Sequence, residues 1–131
     1  MRLSRQLLTI SAVAILVVIS ACSRKDSGPA GPLHLDLTVS PDRPSMNQPM
    51  IFHVHVTGAD GMPVSDAEVN GVLTMKIMDM GGTQLKFAPK GDGDYQASVR
   101  SVDMSGPWSV AVNAKHGGTT AKQNFDVNVF D

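Results

Sequence analysis

The chain has 131 residues, 42% of them hydrophobic, 18% charged and 5% aromatic; this fits one small globular domain and excludes collagen-like, coiled-coil and wholly disordered classes. Eleven Lys and Arg stand against twelve Asp and Glu, a net charge of -1, so no overall positive field exists to gather nucleic acid or anionic lipid. The single cysteine, Cys22, rules out an internal disulfide and any multi-cysteine zinc site.

Arg2 and Arg5 precede an almost unbroken apolar run from Leu7 to Ile19, followed by the small residues Ser20 and Ala21. This layout predicts an export signal peptide over residues 1–21. A permanent span needs about 20 apolar residues to cross about 30 Å of hydrocarbon, and this run is shorter. Ile19-Ser20-Ala21-Cys22 resembles the lipobox of bacterial lipoproteins, which implies that Cys22 is lipidated, begins the mature chain and is consumed by its anchor. Ser23 rather than Asp follows it, which by the same resemblance favours the outer membrane if the envelope is Gram-negative. Without residues 1–21 the chain keeps nine basic and twelve acidic residues, a net charge of -3. Residues 22–32, polar with Gly and Pro, read as the lipidated Cys and a flexible tether. The expected working domain is 33–131, held at a membrane facing the periplasm or exterior.

Strand patterning begins at once. Leu33, Leu35, Leu37 and Val39 alternate with His34, Asp36 and Thr38, the period of a strand with one buried face. Phe52, Val54 and Val56 alternate with Ile51, His53 and His55; Val69, Leu73, Met75 and Ile77 alternate with Asn70, Thr74, Lys76 and Met78. Leu85 and Phe87, then Tyr95, Ala97 and Val99, then Trp108, Val110 and Val112, then Phe125, Val127 and Val129 continue the pattern. Turns rich in Gly, Asp and Pro separate the runs, at Gly58 to Gly61, Gly81-Gly82, Gly91 to Asp94, Ser105 to Pro107 and His116 to Gly118. No helical period is sustained after the signal. The fold class is therefore all-β: an immunoglobulin-like antiparallel β-sandwich of about seven strands, with Trp108 central to its packing.

Gly91-Asp92-Gly93-Asp94-Tyr95-Gln96-Ala97-Ser98-Val99 and Met104-Ser105-Gly106-Pro107-Trp108-Ser109-Val110-Ala111-Val112 together form a G-x-Y-x-A-x-V strand, a turn and an M-x-G-x-W-x-V-x-V strand. With the Met-rich strand upstream and the turn at Gly61-Met62-Pro63-Val64, the chain resembles the YtkA-like and FixH-like domain family from about Leu37 to Val129. The resemblance implies a small exported or membrane-tethered β-sandwich, in some members linked to copper handling or cytochrome oxidase assembly. Many FixH-like members keep an N-terminal transmembrane helix, and the lipobox departs from that pattern.

Seven methionines follow Met1, three of them in Met75-Lys76-Ile77-Met78-Asp79-Met80. Parity assigns Met75 to the apolar face as core filling. Met78 and Met80 fall on the polar face, where two thioethers suit a soft ion; thioether sulfur selects Cu(I), and imidazole accepts Cu(I) or Cu(II). His53 and His55 form a second same-face pair, and Met104, in the turn before Trp108, is a further candidate ligand. Met46, Met50 and His116 stand in reserve. The competing reading is ordinary: methionines fill gaps, and alternate histidines sit on solvated strand faces. Tyr95 and Gly106 read as structural, Tyr95 as a packing or corner residue. Asp92 and Asp94 lack the further ligands of a Ca(II) loop. No nucleophile elbow, P-loop, dinucleotide fingerprint or H-E-x-x-H motif occurs, so no catalytic residue is expected. The leading function is a lipoprotein that binds or delivers copper; the alternatives are a non-metal protein-interaction or structural module at the membrane surface, or, as the resemblance implies, an oxidase-assembly accessory factor. No nucleic-acid partner is expected.

Overall fold

Apolar residues at every second position can all leave water only if each strand lays one face against another layer, and the chain meets that demand with two sheets. The computed structural model describes residues 32–131; the expected signal peptide, Cys22 and the tether as far as residue 31 lie outside the described residues. In chain order the strands are β1 (His34–Ser40), β2 (Met50–Thr57), β3 (Glu68–Met75), β4 (Thr83–Lys86), β5 (Ala88–Gly91), β6 (Asp94–Val99), β7 (Gly106–His116) and β8 (Thr119–Val129). The first sheet has the order β1-β2-β6-β5 and the second β4-β3-β7-β8. Every neighbouring pair is antiparallel.

The expected count of about seven strands becomes eight because one run divides. Leu85 pairs with β3 in the second sheet, whereas Ala88 to Gly91 pair with β6 in the first. The chain changes sheets at Phe87, whose side chain is buried and whose N–H donates to Val69 O at 3.3 Å.

Phe52, Val54, Val56, Tyr95 and Ala97 of the first sheet meet Leu73, Met75, Trp108, Val110, Val112 and Val127 of the second in one core. Burying each large apolar side chain contributes about 1.5–3 kcal/mol. Trp108 is in this core, but in the row Met75–Trp108–Val127 near one end of β7 rather than at the centre.

A second expectation fails at Ile77, which alternation places in the core but which is 66% exposed. β3 stops at Met75 because the residue opposite Lys76 is Pro107, which has no N–H to complete the pair; the Lys76 N–H to Pro107 O bond, 3.0 Å, is the last rung. Beyond it, residues 76–82 leave the sheet as an exposed loop. Gly106, at φ +125, tolerates the backbone there, and a Cβ on it would come within 3.4 Å of Met75 Cε.

Candidate metal-binding surfaces

The register gives the sandwich two ends. One carries the starts of β2, β4 and β7 and the finishes of β1, β3, β6 and β8. Short backbone bonds stitch its loops together: Met46 N–H to Phe130 O, 2.7 Å; Phe130 N–H to Pro44 O, 2.8 Å; Asn47 N–H to Val102 O, 2.9 Å. Six of the seven methionines of the described residues lie at this end: Met46, Met50, Met75, Met78, Met80 and Met104. Met62 lies at the other, in the β2–β3 loop.

These six differ in access. Met50 and Met75 are core, 0% and 5% exposed, so Met50 is removed from the reserve ligands and Met75 fills the core as expected. Met46 and Met104 are half-buried against the core. The Trp108 indole N–H donates to Met104 O at 3.2 Å, which ties the loop before β7 to the core. Met78 and Met80 are 51% and 53% exposed. They are not the i, i+2 pair of a strand face, since β3 has already ended; the loop carries them. Asp79 shapes that loop by accepting from Gly81 N–H through Oδ1 at 3.2 Å. Lys76 anchors it to β8 by an ion pair with Asp126, 3.0 Å. The loop encloses a depression of about 290 Å³ lined by Thr74, Lys76, Met78, Asp79 and Met80, among others. Two thioethers are thus offered to solvent beside one carboxylate.

The structure does not bring the histidines to them. His53 and His55 are on β2, on the outer face of the first sheet, where His53 is flanked by Thr38 and Gln96 and His55 by Asp36 and Asp94. Even His53 is three residues, about 10 Å, from the methionine end of its strand, and it faces away from the second sheet, about 10 Å further off. His55 Nδ1 lies 2.7 Å from Asp94 Oδ1. His116 is half-buried at the opposite end, its Nδ1 3.3 Å from Asp66 Oδ1 without hydrogen-bond alignment. Among the described residues no three His, Cys, Asp or Glu side chains stand arranged around one ion. The topology therefore sets the two histidines and the two exposed methionines apart, on two separate surfaces. Sequence reasoning missed Asp36 and Asp94 as neighbours of His55. Their outward parity was readable, but not the pairing that sets them beside it.

Tyr95 holds a corner. Its hydroxyl donates to Val64 O at 2.8 Å and accepts from Ala67 N–H at 2.9 Å, pinning the β2–β3 loop to β6. Burial pushes its pKa above the usual phenol value; the Ala67 N–H opposes this and Asp66 adds to it.

Comparison with known proteins places this architecture. A family model described as YtkA-like matches residues 29–113. No curated protein matches the chain. Among solved structures, the Lin-41 filamin domain is similar at a TM-score of 0.54 and 16% identity, over 79% of this chain and 97% of that one. A module of a chitinase from Paenibacillus sp. str. FPU-7, a cell-surface-expressed multi-modular enzyme, gives 0.53 and 14%, over 83% of this chain and 9% of that one. A DUF4426 family protein from Pseudomonas aeruginosa PAO1 gives 0.52 and 16%, over 76% and 92%. Identities this low show a shared fold, the immunoglobulin-like sandwich.

Proposed function

The chain belongs to the YtkA-like family, and from that premise we propose that it is a non-catalytic cell-envelope lipoprotein that binds Cu(I) at the methionine end of its sandwich and holds it for delivery. The observation that carries this reading is the grouping of six methionines at one end, two of them exposed in a single loop. Thioethers favour Cu(I) over harder ions, and unlike thiols they are not lost to disulfides in an oxidising compartment. Met78 and Met80 are the primary ligands, with Met104, half-buried at the same end, the candidate for a third.

β1 begins at the end opposite the methionines, so a lipid on Cys22 and its flexible tether would attach the domain there and leave the Met78 and Met80 end clear of the attachment. Acyl chains contribute about 0.8 kcal/mol per buried CH2, enough with several chains to hold the domain at the surface. A labelled fatty acid supplied to growing cells should mark the protein, and Cys22→Ser should abolish the label; an equal label in that variant would refute the lipid anchor.

The copper reading is tested by anaerobic Cu(I) titration of the Cys22→Ser chain against a chromophoric chelator. One ion per chain is expected, with Met78→Leu plus Met80→Leu weakening binding at least tenfold while stability stays within about 0.5 kcal/mol, as for exposed substitutions. Unchanged affinity in the double variant would overturn it. A second reading rests on Ile77, the most exposed large hydrophobic residue of the described chain, in the same loop: this tip docks an envelope protein. Ile77→Ser would then abolish partner crosslinking without altering Cu(I) affinity.

A further inference from the structure

The outer face of the first sheet carries a donor set of a different kind. His53 and His55 project from alternate positions of β2, their Cα atoms about 6.5–7 Å apart. In the register, Asp36 of β1 and Asp94 of β6 flank His55 on either side. Carboxylate, imidazole and carboxylate therefore form one row across three strands, with the second imidazole one row along.

We propose that His53 and His55 chelate a divalent first-row cation, with Cu(II) the tightest, at a site separate from the methionine end. Two imidazole nitrogens with a carboxylate suit a borderline divalent ion, and the hard carboxylate favours it over a soft monovalent one. The contact between His55 and Asp94 is the second observation. A carboxylate 2.7 Å from Nδ1 holds the proton on that nitrogen, fixes the ring and leaves the Nε2 lone pair free to bind, as second-shell carboxylates do for metal-bound histidines. Asp94 is thus a positioning residue and Asp36, exposed on the adjacent strand, the third donor. His53 and Asp36 close on the ion by rotation of exposed side chains, since the donors do not already converge; affinity is accordingly moderate.

The site does not depend on the Cu(I) reading, and its test keeps the two apart. The full chain is titrated with Cu(II) and followed by electron paramagnetic resonance. The expected spectrum shows two nitrogen donors at one equivalent. His53→Ala and His55→Ala should each remove one nitrogen and weaken binding at least tenfold, whereas the Met78→Leu, Met80→Leu variant should leave spectrum and affinity unchanged. Asp94→Ala should weaken binding about tenfold and abolish the Nδ1–H tautomer of His55 seen by 15N NMR, with Asp94→Glu restoring both. Cu(II) bound with an unaltered spectrum in the His53→Ala, His55→Ala double variant would overturn the proposal, as would loss of Cu(II) binding in the methionine variant. Near-ultraviolet circular dichroism of each variant distinguishes a lost ligand from a lost fold.

Discussion

At the scale of single residues, Tyr95 shows how one polar group can hold a corner of an apolar core. A buried phenol is tolerated because its hydroxyl both donates and accepts. Tyr95→Phe keeps the ring but strands Val64 O and Ala67 N–H, so it should cost about 1–3 kcal/mol, measurable by urea unfolding. The raised pKa adds a pH signature. A group whose folded pKa exceeds its unfolded one gives stability that is complete below the ordinary phenol range and is lost as pH rises through the raised value. The native chain should therefore show an alkaline loss of stability that Tyr95→Phe lacks; identical profiles would refute the assignment. The corner role was readable from Tyr95 at the head of an alternating run beside a Gly-Asp turn. Its bonding partners, 31 and 28 residues away in sequence, were not.

Elements obey the same division. The β5–β6 turn places Gly93 at φ +79, where a Cβ would meet Val56 O at 2.7 Å and Pro63 Cβ at 2.8 Å. The close approach lets Gly93 O accept from Val56 N–H at 2.8 Å and Gly93 N–H donate to Ser65 Oγ at 3.0 Å. Gly93→Ala should thus cost well over 2 kcal/mol, combining backbone strain with a clash against main chain. Gly91→Ala, with a similar φ of +96 but open space around it, should cost about 1 kcal/mol. Equal losses in thermal unfolding would contradict this packing. The glycine-rich turn was visible in sequence, but which glycine is crowded depends on the β2–β3 loop folding over it. The loop after Met75 teaches the reverse lesson. Alternation through Ile77 is as regular as in any strand of this chain, yet the strand ends where β7 presents Pro107, which has no N–H to pair, a limit that lies in the partner and not in the local pattern.

For the molecule as a whole, stability and the proposed copper binding occupy different places. Val110 is fully buried between the sheets, three residues along β7 from the Lys76–Pro107 rung where the exposed methionine loop begins. Val110→Ala should cost about 2 kcal/mol and lower Tm by roughly 10 °C, with Cu(I) stoichiometry preserved below the transition. Loss of copper in the folded variant would mean that the site reaches the core.

Taken alone, the sequence determined the all-β class, the inward faces of most strands and the family, because period-2 burial and turn chemistry are local and write themselves into consecutive residues. Met75 in the core, Trp108 buried and Tyr95 at a corner were legible for that reason. The tertiary structure alone decided that one run splits between sheets at Phe87, that six methionines share an end, and that His53 and His55 stand with Asp36 and Asp94 instead of with Met78 and Met80. Those relations depend on which strands pair and in what register. Pairing is set by the total burial of the two inner faces, a sum over residues far apart in the chain that no window of sequence contains.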